Sequence, residues 1–349
     1  MRHPVVSLLS FAVLAALGAS ACGEESGSSG GGGGGSGGSG GGGLEGPCVP
    51  KGAECYGPAG PTGPGAECLA KHDNTSSANW QGKISQITVT KPASLATKFV
   101  QDTIIGKGIS LNQPSCLERG DGTFNWLFEF DSATNKLKTG GGLPITDPAA
   151  GGCFVTLPNA AVPVAPVTID IAVDGLAFAA EGIDLAVPIF TAVDQLDNPI
   201  LLPIHGGSFS GTWSADHNCI GKYNADQFDP INNCLPDTSL EPPQQNWTDA
   251  GVLSGYITVA ESDLVFIDDI GATLCTLLAG AGDWKGDDGT CKGKVGQAEW
   301  DGGNRPQGDW CASTTPGGLG TPATATCKDA YRLEATFAAA AFKINGDCD

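Results

Sequence analysis

The sequence predicts a mainly β protein: an antiparallel sandwich or barrel-like domain with one or two packed helices and a dense set of disulfides. Three observations carry that expectation. Apolar and polar residues alternate in short runs, and Phe124, Trp126, Phe128 and Phe130 fall on one face at a period of two. The runs are separated by turn residues, of which Asp174-Gly175 is the strongest tight-turn signal. The chain also carries 13 cysteines in 349 residues, a usage that belongs to an oxidising compartment.

Taken in order, Lys83–Thr90 alternates as a strand. Ser94 is placed to cap a short helix with the stripe Leu95, Phe99, Val100 and Ile104. Phe124–Phe130 is the clearest strand of the chain. Val167–Val173 repeats its alternation and turns at Asp174-Gly175 into Leu176–Ala180. Ile183–Phe190 and Pro199–Ile204 flank the turn Asp194–Asn198 and read as a second hairpin, in which Pro188 and Pro203 suit edges or bulges. Ser208–Trp213 and Val252–Val259 continue the pattern. Between Glu261 and Leu278 the period changes. Leu264, Ile267, Ile270, Leu274 and Leu277 fall three or four apart, which predicts an amphipathic helix packed through Leu264 and Leu274 and stopped at Gly280. Residues 280–326 read as cysteine-clamped loops. Tyr331–Ile344 reads as a long closing strand, with a helix as its rival because of the alanine run.

Ahead of this body, residues 1–21 have the parts of an export signal: Arg2 and His3, the apolar run Val5–Leu17, then small residues. The run is too short for a membrane span. Ala19-Ser20-Ala21-Cys22 resembles the lipobox of bacterial lipoproteins, with Ala19 where that motif usually carries leucine. The resemblance covers residues 1–23 and implies cleavage before Cys22, acylation of its thiol and a membrane attachment through that lipid. Gly23, where an aspartate would resemble a retention signal, implies the outer membrane, on its periplasmic face or at the cell surface. No family resemblance extends to the body. Residues 22–47 form a tether in which every position from Gly27 to Gly43 is Gly or Ser, with a root-mean-square reach of roughly 25–30 Å. Residues 48–73 form a Cys/Pro-rich neck, and 74–349 the β-rich globular domain.

Eighteen basic residues against 38 acidic ones give a net charge of −20. That balance excludes a nucleic-acid partner and a polybasic grip on anionic lipid. It keeps an exported protein soluble and leaves cationic ligands open. With Cys22 assigned to lipid, the remaining cysteines are Cys48, Cys55, Cys68, Cys116, Cys153, Cys219, Cys234, Cys275, Cys291, Cys311, Cys327 and Cys348. Their even number fits six bridges. Pairing of neighbours would give Cys219–Cys234, Cys275–Cys291 and Cys311–Cys327, each closing a loop of about 15 residues. Zinc is disfavoured, because no Cys-x-x-Cys occurs and the processed chain keeps only His72, His205 and His217.

Three chemistries compete for the loops. Trp284 lies beside Asp283, Trp300 between Glu299 and Asp301, and Trp310 beside Asp309. Exposed indoles next to carboxylates would stack a sugar face and accept its hydroxyls, whereas indoles packed on cystines would share the same spacing. Asp287, Asp288 and Asp301 sit in Asp/Gly/Asn runs that offer oxygens to calcium but lack a calcium-loop spacing, and such runs also form plain turns. His205-Gly206-Gly207 superficially resembles the His-Gly-Gly loop of esterases, yet Phe209 stands where Gly207–Gly211 would need a nucleophile. Glu129, Asp131, Asp268 and Asp269 are free carboxylates for a glycosidase, and His217 reads as a loop residue.

No catalytic set follows from these residues, and no cofactor beyond calcium. The expectation is a lipid-anchored envelope or surface protein with a non-catalytic recognition, adhesion or structural role, meeting a glycan or an envelope protein. The second reading is a secreted carbohydrate-active module working through the Trp/Asp loops. Oligomeric state is not assigned.

Overall fold

The computed structural model describes the chain from residue 44 except for 45, 51, 53–54, 98–121, 161, 191, 195, 198, 232–234, 237–245, 268–270, 280–290, 292–305 and 349. Cys22 with its tether, Cys116, Cys234, Trp284, Trp300, Asp287, Asp288 and Asp301 therefore lie outside the described residues. So do Asp268, Asp269 and Phe99, Val100 and Ile104 of the helix expected after Ser94; its described start, 95–97, forms turns and bends rather than helix.

The fold is an antiparallel barrel. Its strands are β1 (Asn79–Lys91), β2 (Asn125–Asp131), β3 (Lys136–Gly142), β4 (Gly152–Phe154), β5 (Val167–Asp170), β6 (Ala172–Asp174), β7 (Ala177–Ile189), β8 (Ile200–Thr212), β9 (Gly251–Thr258), β10 (Ala330–Ala341) and β11 (Ile344–Asp347). Pairing runs β3-β2-β1-β10-β9-β8-β7-β6. The run Val167–Asp174 closes the ring: its first half pairs with β3 and its second half with β7. Counting β5 and β6 as one staggered strand, eight strands surround the interior among the described residues. At the seam a Cβ on Gly141 would meet the Pro188 ring at 2.2 Å, so only glycine lets β3 and β7 approach.

The sequence period explains the interior. Phe124, Trp126, Phe128 and Phe130 all face one core cluster, as their alternation requires. Phe209 is its hub, stacked on Phe337 at 4.9 Å and close to Phe178 and Phe128 at 5.4 and 5.5 Å. Glycines make room for these rings. A Cβ on Gly82 would lie 2.4 Å from the Phe128 ring, and one on Gly251 would lie 2.2 Å from that of Phe337. The turn Gly175-Leu176 joins Asp174 to Ala177 with Gly175 at φ 62°, one residue later than the Asp174-Gly175 turn that the sequence predicts.

The alanine run is strand, not helix. Ala338–Ala341 are fully buried, with Ala339 in the barrel interior and Ala338, Ala340 and Ala341 against a second cluster outside it. That outer cluster is built by the neck, through Cys48, Cys55, Tyr56, Cys68 and Leu69, against Leu127, Phe154, Tyr223 and Phe342. Small side chains on both faces of β10 let two layers pack on one strand.

Two expectations are corrected. Cys219 bonds Cys68 rather than Cys234, because Cys219 pairs with Ala340 on β10, beneath the neck. The expected helix over Glu261–Leu278 is instead a one-turn helix α1 (Val259–Ser262), a short hairpin (Phe266–Ile267 with Ala272–Thr273) and a second short helix α2 (Leu274–Leu278). Asp263 pins this cap by accepting from the Thr273 hydroxyl and the Cys291 amide. Strand alternation buries Val265 and Ile267, so Leu264, the intended contact, is 71% exposed. A one-turn helix followed by a hairpin mimics helical spacing in sequence.

Disulfides staple the rest. Cys275–Cys291 and Cys311–Cys327 form as neighbour pairing predicts, and Cys153 bonds Cys348. Cys48 and Cys55 are bonded as well. Cys68–Cys219 and Cys153–Cys348 join residues 151 and 195 apart, worth about 5 kcal/mol each in the chain-entropy model.

An apolar cavity under the cap is the candidate functional site

The aromatic rings fill one part of the barrel, and the part under the cap is lined differently. A cavity of about 180 Å³ lies there. Ile87 and Val89 of β1, Trp126 of β2 and Leu185 of β7 form one side. Leu202 and Ile204 of β8, Leu253 of β9 and Leu333 of β10 form the other, and Val265, Ile267, Leu274 and Leu277 of the cap close it.

Small residues contribute part of the wall. Ala335, Gly207 and Gly255 line it, and Gly255 lets Ile204 of the neighbouring strand pack close, since a Cβ there would lie 2.5 Å from it. Trp126 keeps its indole N–H satisfied by donating to the Thr139 hydroxyl at 2.8 Å, so it presents hydrocarbon inward. Leaving such a volume unfilled by side chains forgoes about 4 kcal/mol of packing. That is a large share of a domain's net stability, so the cavity marks a function better than it marks poor packing.

The rim is charged. Lys91 and Glu334 both border the cavity, and their side chains are 52% and 31% exposed, so the cavity meets solvent there. Lys91 Nζ lies 2.9 Å from Glu334 Oε2, while Arg332 Nε donates to Oε1 at 3.2 Å. Burial pushes the Glu334 carboxyl up, but the hydrogen bonds from Lys91 and Arg332 outweigh it and hold the group below its ordinary value.

Beside the cavity a polar cluster fastens the cap to the barrel. His205 Nε2 lies 2.8 and 3.0 Å from the two Glu261 oxygens, joining β8 to α1. Its Nδ1 lies 3.7 Å from Asp184, whose carboxylate also accepts from the Gly206 and Gly317 amides. Thr258 caps α1 by accepting from the Glu261 amide and donates its hydroxyl to the Glu261 carboxylate. The Glu261 hydrogen bond raises the His205 pKa against the opposing pull of burial. Burial pushes Glu261 up, but its bonds to His205 and Thr258 hold it below its ordinary value. The pair is strongest between the ordinary values 4.5 and 6.5 and weakens as pH rises through the raised His205 pKa.

The structure separates the residues that the sequence grouped as chemistry. His205-Gly206-Gly207 is a bulge: Gly206 has φ 50°, and a Cβ there would lie 2.2 Å from the Gly318 carbonyl. Ser208 bonds Ser254 at 2.6 Å across β8 and β9, away from the carboxylates that hold His205. Glu129 accepts from the Gln81 amide, and Asp131 is spent on the turn at Ala133 and Thr134. His217, at φ 61° in its loop, stacks on Trp80 at 3.7 Å. Trp310 is half-buried: Arg332 covers its ring at 4.7 Å and its indole N–H donates to Leu319. Asp263 and Asp329 each lie beside a cysteine pair, but those sulfurs are consumed in Cys275–Cys291 and Cys311–Cys327.

Sequence reasoning missed the cavity lining altogether. Its one trace is the change of period at Leu264–Leu277, where apolar residues serve both faces of a cap. Comparison with known proteins finds no matching family model, no matching curated protein and no matching solved structure.

Proposed function

We propose that this chain is a lipid-anchored envelope protein that holds a small apolar ligand in its barrel and does not transform it. In this reading Cys22 carries the acyl anchor in a bacterial outer membrane, and the tether 22–47 lets the barrel stand clear of the bilayer. The observation that carries the proposal is the apolar cavity of about 180 Å³ between the barrel and its cap. Eight-stranded barrels have interiors that side chains just fill or that accommodate one small ligand. An apolar cavity of about 150 Å³ stays dry and takes up benzene-sized molecules. The polar groups that line the cavity among the described residues are engaged with one another: Ser208 with Ser254, and Lys91 with Glu334. That favours recognition over catalysis.

Toluene is a sufficient probe. Thermal unfolding of the wild-type protein is expected to shift upward as toluene is added, because a ligand that binds only the folded state stabilises it by mass action. The Ala335→Leu variant, whose extra methyls occupy the space, is expected to melt higher than wild type without toluene and to respond little to it. An unresponsive wild-type protein, or equal shifts in both proteins, would refute the proposal.

A further inference from the structure

Resting on that reading of the cavity, we infer the chemical class of the ligand: a single-chain amphiphile with a tail of about eight carbons and an anionic head held at Lys91. Three features converge on it. The first is size. If about 150 Å³ accommodates the six carbons of benzene, a cavity of about 180 Å³ accommodates roughly seven or eight. A longer chain would leave its remaining carbons in water.

The second feature is lining. Inside the rim the walls are aliphatic and aromatic among the described residues, and the hydroxyls of Ser208 and Ser254 bond each other. A tail with polar groups along its length would bury them without partners, at a cost of several-fold to a hundredfold in affinity for each. The tail is therefore plain hydrocarbon.

The third feature is charge at the mouth. Lys91 and Glu334 are the charged residues bordering the cavity among the described residues. Glu334 is shared between Lys91 and Arg332, so two cations face one carboxylate and the trio carries one net positive charge. This surplus stands out on a chain whose total charge is −20. A carboxylate head arriving at Lys91 satisfies it, while a cationic head would meet Lys91 and Arg332 with Glu334 already engaged. Lys91 is half-exposed, so the head stays hydrated as its tail enters.

The test is a homologous series read by calorimetry: sodium butanoate through dodecanoate, with 1-octanol and octylammonium as head-group controls. Each added methylene up to eight carbons is expected to tighten binding about fourfold, the equivalent of ~0.8 kcal/mol. Beyond ten carbons the gain is expected to flatten. Octanoate is expected to bind at least fivefold more tightly than octylammonium, and Lys91→Met to remove the preference for octanoate over 1-octanol. Affinity that climbs evenly through dodecanoate, or octylammonium binding as well as octanoate, would overturn the assignment of ligand class while leaving the cavity reading standing. Failure of every chain to bind, 1-octanol included, would instead overturn the cavity reading itself.

Discussion

Replacing Lys83 with methionine is expected to flatten the rise of the protein's stability between pH 7 and pH 10. Lys83 is fully buried on β1, with Leu127 and Ala340 as its cross-strand neighbours. Burial lowers its pKa from 10.5 to about 7. The sign follows from which state holds the proton. Between pH 7 and 10.5 the unfolded chain keeps the lysine charged while the folded one sheds the proton, so stability rises with pH across that window. Below pH 7 the folded state carries a buried ammonium, at a cost of at most about 5 kcal/mol. Methionine keeps the stem and removes the charge. Urea unfolding of both proteins at several pH values isolates the effect, because other titrating groups cancel in the difference. Between pH 7 and pH 10 the stability of the variant relative to wild type is expected to fall by several kcal/mol. A pH-independent difference would mean that the buried amine is well accommodated as a cation.

Truncating Phe209 to alanine is expected to cost about 4 kcal/mol. Its ring is 1% exposed and touches the aromatic rings of three other strands, Phe128 on β2, Phe178 on β7 and Phe337 on β10. No neighbour can collapse into the space, because Phe128 and Phe337 are already seated over Gly82 and Gly251. Phe209→Leu refills most of the volume and is expected to cost about 1 kcal/mol. The comparison is read from denaturant midpoints at constant slope. Equal losses in the two variants would show that the ring contacts, rather than the filled volume, stabilise the barrel.

What the sequence discloses follows from how local its signals are. β2 is legible because period two places four aromatic residues on one face, and the Gly175 turn because φ > 0 demands such a residue. Cys275–Cys291 and Cys311–Cys327 are legible because each closes a short loop, with both pairs separated by 16 residues. Cys68–Cys219 is not, since only the packing of the neck on β10 brings those residues together. The cap is misread because a hairpin between two short helices reproduces helical spacing. The cavity is illegible for a stricter reason. Its lining comes from six strands, β1, β2 and β7–β10, together with the cap, and no local pattern marks which of their apolar residues leave a space between them.

The most direct measurement is a methyl-resolved NMR titration of the folded protein with sodium octanoate, using labelled Ile, Leu and Val. Saturable shifts are predicted at Leu202, Ile204, Leu253 and Ile267, which line the cavity, with Leu69 and Leu127 in the outer cluster unmoved. No shifts at saturating octanoate, or shifts scattered over exposed methyls such as those of Leu264 and Ile231 while the cavity stays silent, would contradict the account.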